Sequence, residues 1–111
     1  MAQEVSNLNP QQFVSLTHHE GKYLHHIDAH DQDGNMVGSM DWNKRSKRIY
    51  NVNVSTRLRR QGIASHMWDL ANQVAQEKGQ VGPQHSYERT DLGDAWAKSV
   101  GGRLPHNRSK K

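Results

Sequence analysis

Alternation of apolar and polar residues runs through the first half of the chain and gives way to a helical period in the second. Phe13, Ser15 and Thr17 alternate with Val14, Leu16 and His18, which predicts a short strand over residues 12–18. A turn at Glu20-Gly21-Lys22 leads into a second strand over 23–30. A hairpin around Asp33-Gly34 returns the chain as a third strand over 36–43. After a turn at 43–47 comes a fourth strand over 48–54, in which Tyr50, Val52 and Val54 alternate with Ile49, Asn51 and Asn53. The period then changes: Ile63, Met67, Leu70 and Val74 repeat at helical spacing, with His66, Asp69, Gln73 and Gln76 on the other side. Gly79 is placed to close that helix just after Lys78. Residues 81–87 can supply one short strand, interrupted by Gly82-Pro83. Thr90 or Asp91 then caps a second helix that runs to Ser99 and stops at Gly101-Gly102, with Leu92, Ala95, Trp96 and Val100 on its apolar side. The expected class is α+β: a mixed, mainly antiparallel sheet with two helices after the fourth strand.

Composition narrows the setting. A chain of 111 residues is one domain, here expected over 11–104, with a flexible leader at 1–10 and a basic tail at 105–111. Its hydrophobic share of 32% is low against the usual roughly 45–50%. The core must be small, and a second copy covering part of the sheet, a homodimer, is expected. Without cysteine there is no disulfide, thiolate metal site or Cys nucleophile. No apolar run approaches the roughly 20 residues of a membrane span, and no signal-peptide core opens the sequence, so a cytoplasmic protein without a membrane partner is expected. The net charge of +4 resides in residues 103–111, where Arg103, Arg108, Lys110 and Lys111 account for all of it. That excess is too small to argue for nucleic-acid binding.

The junction between the fourth strand and the main helix carries the clearest chemistry. The first turn of a helix has backbone N–H groups with no intrahelical partner, and the dipole adds partial positive charge there. Gly62 lets an anion approach those amides, and Arg59 and Arg60 add full charges. The combination reads as a phosphate cradle, though neither a Walker loop nor a dinucleotide fingerprint is present. An ordinary strand-to-helix turn with solvated arginines, or a basic turn for nucleic acid, would have the same sequence. Arg59-Arg60-Gln61-Gly62-Ile63-Ala64 resembles the Arg/Gln-x-x-Gly-x-Gly/Ala signature of the GNAT superfamily of acyl-CoA-dependent N-acyltransferases. The preceding strand ending at Val54 is similar to that family's central strand. The resemblance spans roughly residues 23–104 and is strongest at 49–78.

The resemblance implies an acyl thioester, acetyl-CoA in the first instance, with its pyrophosphate on the amides of Arg60, Gln61, Gly62, Ile63 and Ala64. The pantetheine arm would lie along Val52, Asn53 and Val54, beside Arg59, and Thr90 falls where the family places an Asn before its last helix. A main-chain N–H near Val54 would meet the oxyanion formed when an amine attacks the thioester, and positioning would supply most of the rate. Family members often use a Glu on the central strand and a Tyr on the last helix; this chain has Asn51 and Asn53 on the strand and Ala97 at the Tyr position. Proton transfer therefore falls to His85 as base and to Ser86 or Tyr87 as donor, with Asp41 or His26 across the sheet as other candidates; a solvated loop would account equally for His85. GNATs place two helices between their first strands, where this chain has about three residues, so the acceptor side is expected to be open and to suit a bulky acceptor such as a protein amine. A non-catalytic CoA-binding or interaction module of the same fold is the other reading. Finally, His18, His19, His25, His26 and His30 crowd one region, with His26-x-Asp28-x-His30 on one strand face. Alternate strand residues lie about 7 Å apart, too far for these alone to make a metal site, and none is expected.

Overall fold

The alternating first half forms a sheet of five strands: β1 (Val5–Asn7), β2 (Ser15–Glu20), β3 (Leu24–His30), β4 (Met36–Asn43) and β5 (Ile49–Val54). The computed structural model describes residues 5–7, 14–58 and 62–109. The strands lie in the order β1-β2-β3-β4-β5, each antiparallel to its chain neighbours. Short turns enforce that order. Asp31 Oδ1 accepts from the amides of Asp33 (3.0 Å) and Asn35 (2.9 Å), with Gly34 at φ 86°; this side chain–backbone turn bonding closes the hairpin. Asn43 Oδ1 does the same for Arg45 and Ser46, each at 2.8 Å. Three residues join β2 to β3, leaving no room for a helix.

The helical period is realised as α1 (Ile63–Glu77), which buries Ile63, Met67, Leu70, Ala71, Val74 and Ala75. It packs against β3, β4 and β5, and α2 (Asp91–Val100) packs on α1. Thr90 Oγ1 caps α2 by accepting from the amide of Gly93 at 3.0 Å, satisfying one of the orphan donors at a helix start. The core lies between α1 and one face of the sheet: Leu16, Ile27, Ala29, Met40 and Trp42 from the strands meet Ile63, Met67 and Leu70 from the helix.

Three expectations change. Residues 81–87 form no strand; Gln84 alone bridges Arg48, in parallel, with Ile49 donating to the Gln84 carbonyl at 2.8 Å. Pro83 lacks an N–H and fixes its φ, so the ladder does not extend beyond that residue. The named strands therefore make an antiparallel sheet, and this bridge is its parallel element. Val5–Asn7 pairs with residues 15–17 although its polar composition carries no strand pattern. And the sheet face away from α1 is polar: Thr17, His19, His26, Asp28, Ser39, Asp41, Asn51 and Asn53 project there by register. The apolar surface that motivated a homodimer is not what this face presents.

Candidate functional site

At the strand-to-helix junction, Ser55 donates to the Val37 carbonyl at 2.8 Å, Thr56–Leu58 makes one 3₁₀ turn, and Gly62 begins α1 with φ 84°. That left-handed conformation favours glycine for backbone reasons, in addition to clearance for an anion. Among the described residues no side chain caps α1 and no acidic residue sits in its first turn, so none of them neutralises its dipole. His66 Nδ1 lies 2.7 Å from the Gly62 carbonyl and therefore carries the proton and donates. Ile63 is 1% exposed in the core, so only its backbone can serve a ligand, and Ala64 packs against the same core. Arg59, Arg60 and Gln61 lie outside the described residues. Next to this junction, a cleft of about 440 Å³ opens between the start of β4 and the end of β5, lined among others by Gly38, Ser39, Asn53, Val54 and Ser55. β5 is the last strand of the sheet. Val52 and Val54 are half-buried on its core side, and Asn53 is exposed on the other.

The 85–87 segment meets β5 at its first residues. Arg48 Nη1 donates to the His85 carbonyl at 2.9 Å and Nη2 to the Tyr87 hydroxyl at 2.7 Å. The His85 ring is 1% exposed, stacked on Trp68 at 4.5 Å and edge-on to Trp96. Its Nε2 donates to the Gly101 carbonyl at 2.7 Å, which leaves the lone pair of the neutral ring on Nδ1. Burial lowers its pKa and the charge of Arg89 adds to that, while the Gly101 bond opposes both; the ring is neutral at pH 7. Ser86 Oγ accepts from the amide of Glu88. The exposed Tyr87 ring stands between the guanidinium groups of Arg48 (4.1 Å) and Arg108 (4.4 Å). Thr90 is the α2 cap described above.

On the open face a chain of hydrogen bonds crosses β5, β4 and β3, and an ion-pair contact extends it to β2. Asn51 Nδ2 donates to Ser39 Oγ at 3.2 Å and reaches Asp41 Oδ2 at 3.4 Å. His26 Nδ1 is 2.5 Å from Asp41 Oδ1, His26 Nε2 bonds Asp28 Oδ1, and His19 Nε2 is 3.5 Å from Asp28 Oδ2. Partial burial acts to lower the His26 pKa, but the hydrogen bonds and charges of Asp41 and Asp28 outweigh it, and the value is raised.

A family model described as Acetyltransferase (GNAT) domain matches residues 3–86. The chain belongs to the GNAT acetyltransferase family. No curated protein and no solved structure shows a significant match. The GNAT match takes in β1, all the other strands, the junction and α1, and ends within the 85–87 segment; α2 and the residues after it lie beyond. Within this GNAT domain the fold brings Asn53, Val54 and Gly62 to one end of β5 and sets residues 85–87 at the other.

Sequence reasoning missed two features. One is the Trp68–His85–Trp96 ring cluster, whose members are 17 and 11 residues apart and signalled by no period. The other is the docking of the final segment. Asn107 is buried, donates to the Arg89 carbonyl and accepts from the Arg89 amide, each at 2.9 Å. The Arg89 guanidinium in turn holds Asp94, Ser86 O and Pro105 O.

Proposed function

We propose that this GNAT domain is an N-acetyltransferase that transfers the acetyl group of acetyl-CoA to an amine. The observation that carries the reading is the N-terminus of α1, without a side-chain cap among the described residues and entered through a left-handed Gly62 soon after the edge strand and its cleft. The amides of a first helical turn, which have no intrahelical partner, and its positive dipole end suit a pyrophosphate. Arg59, Arg60, Gln61, Gly62, Ile63 and Ala64 are assigned to it, Val52, Asn53 and Val54 to the pantetheine arm, and Thr90 to the same ligand from the start of α2. The amine nitrogen attacks the thioester carbonyl, the C–N bond forms, the C–S bond breaks, and the thiolate takes up a proton. Proton transfer is assigned to the 85–87 segment, where neutral His85 offers Nδ1 and Tyr87 is exposed.

The open sheet face suits a bulky acceptor, including a protein amine. A cytoplasmic setting agrees with the finding that no described helix is long and apolar enough to cross a membrane. A homodimer is part of the proposal, supported by the low hydrophobic share of 32% and not by the polar open face, and one sedimenting species near 12.7 kDa at high micromolar concentration would exclude it.

Calorimetry with acetyl-CoA tests the central claim. Wild type should bind at or below millimolar concentration, and Gly62→Glu should abolish binding by placing bulk and negative charge at the amides. No binding by wild type overturns the reading. The non-catalytic module is the second reading, favoured by the engagement of the proton-transfer groups: His85 Nε2 is committed to Gly101 and the Tyr87 hydroxyl to Arg48. CoA binding without amine-dependent thiol release would select it. If turnover occurs and His85→Ala, Ser86→Ala and Tyr87→Phe all keep wild-type rates and pH profiles, the segment is structural; a lost general base would cost about 10²–10⁴-fold.

A further inference from the structure

Resting on the acyltransferase reading, we infer that Asp41, held in place by His26 and Asn51, selects the acceptor, and that this acceptor is an amine carrying a second positive charge. Two carboxylate oxygens on the open face are already engaged. His26 Nδ1 faces Asp41 Oδ1 at 2.5 Å and His26 Nε2 faces Asp28 Oδ1. With a carboxylate oxygen against each nitrogen, the ring holds both protons and donates both. Each aspartate has thus committed one oxygen to His26, and two carboxylates against one imidazolium leave this patch one net negative charge. Among the described residues, the other titratable groups on the face are His19 from β2 and His30 from β3; β5 contributes neutral Asn51 and Asn53, and α1 lies on the opposite face.

The two second oxygens differ. Asp28 Oδ2 is turned toward His19 at 3.5 Å. Asp41 Oδ2 has the Asn51 amide at 3.4 Å as its partner among the described residues, close to the outer limit of a hydrogen bond. Asp41 is nevertheless only 19% exposed, so water solvates it incompletely. A carboxylate oxygen of a partly buried side chain, with spare lone pairs, is matched by an ammonium, which adds charge-assisted hydrogen bonds and neutralises the patch.

The position relative to the reaction follows from register. Asp41 lies opposite Asn51, and Ser39 opposite Asn53. Asn51 bonds Ser39, which lines the cleft at the end of β5. Along one face the step from Asn51 to Asn53 is about 7 Å, comparable to the reach of a four- or five-carbon chain. An alkyl diamine can therefore rest one ammonium on Asp41 Oδ2 and extend its other amine to the cleft. That second amine gives a proton to the base assigned above, attacks the thioester as the neutral amine, and leaves as the amide, with the thiol as co-product. The ammonium on Asp41 takes no part in bond making.

The test compares 1,5-diaminopentane with 1-aminopentane, equal in length and differing in the second charge. In wild type the diamine should show a KM at least tenfold lower. Asp41→Asn should remove that difference while leaving the KM for acetyl-CoA unchanged. His26→Gln should raise the diamine KM more than it lowers kcat, since it frees Asp41 without touching the thioester. Equal KM values for the two amines in wild type, or an unchanged ratio in Asp41→Asn, would overturn the inference. A second measurement needs no turnover: titrating diaminopentane into the protein alone should shift the His26 ring resonances in wild type and not in Asp41→Asn. A shift without any acetyl transfer keeps the amine subsite and removes the acyltransferase reading. Absence of both the shift and the KM difference removes the subsite while CoA binding still stands on its own result.

Discussion

His25 and His26 are adjacent in sequence and occupy opposite faces of one sheet, and almost everything about their chemistry differs. His25 points into the covered side, 3% exposed, stacked on Trp42 at 4.8 Å with its Nδ1 3.0 Å from His18 Nε2. Burial and the facing His18 push its pKa down to about 4. His26 points to the open side, between two carboxylates that raise its pKa. The residue type is the same; the layer placed over each face decides which protonation state folding favours. The covered face selects uncharged groups because charge there loses solvation without a partner. The open face tolerates a charged array because its members pair with one another and keep some contact with water.

The sharpest way to break this contrast is to compare neighbours on β2. Leu16 is fully buried under α1, whereas Thr17 faces outward. Leu16→Ala should cost about 2–5 kcal/mol through lost transfer energy and a cavity. Thr17→Ala should stay within roughly 0.5 kcal/mol, the usual range for surface changes. Urea unfolding of both variants gives the comparison, and similar costs would mean that the outer face is packed as tightly as the core.

The second contrast is in pH. For His25 the folded value lies below the unfolded one, so the unfolded chain binds more protons between them. Stability from this group is present above pH 6.5 and is lost as pH falls toward 4. For His26 the sign reverses: its contribution is fully present below 6.5 and is lost as pH rises through its raised value. Together they place an optimum near the ordinary histidine pKa. Denaturant melts from pH 4 to 9 should show both limbs, with His25→Phe flattening the acid limb and His26→Gln the alkaline one. An acid limb unchanged in His25→Phe would assign the loss to other groups.

The smallest effect lies at the rim of the covered face. Glu20 bonds Lys44 at 2.7 Å and Lys78, just past the end of α1, at 2.9 Å. Those bonds hold its pKa at about 2, so its contribution is present above pH 4.5 and is lost as pH falls through 2. Because the pairs are partly exposed, Glu20→Gln should cost no more than about 1 kcal/mol, and 1 M salt should erase most of that. A larger, salt-independent loss would mean that the pairs anchor α1 to the sheet.

Local order was written in the chain. Period 2 set the middle strands, period 3.6 set α1 from Ile63 almost to Gly79, and Thr90 with its following residues set the α2 cap. Asp33-Gly34 closed the hairpin, and Gly62 marked the helix start through a backbone conformation that glycine adopts without strain. These signals are legible because each depends on residues within one turn or one strand. The outcome at 81–87 was not legible: a strand there required pairing on both sides of Pro83, and only Gln84 found a partner in β5. Nor did period reveal that His85 packs between Trp68 and Trp96 or that Asn107 locks onto Arg89.

The open-face array shows where the boundary falls. That His26 and Asp28 share a face follows from sequence alone, because alternate residues of a strand must. That Asp41 meets the other nitrogen of His26 depends on the β3–β4 register, which shifts between Ala29 and His30, and on Asn51 arriving from β5 past a second shift between Asp41 and Trp42. Sequence carries the alternation. Register is settled only when every strand has found the neighbour that buries its apolar side, since a slip of one residue would turn those side chains to the opposite face.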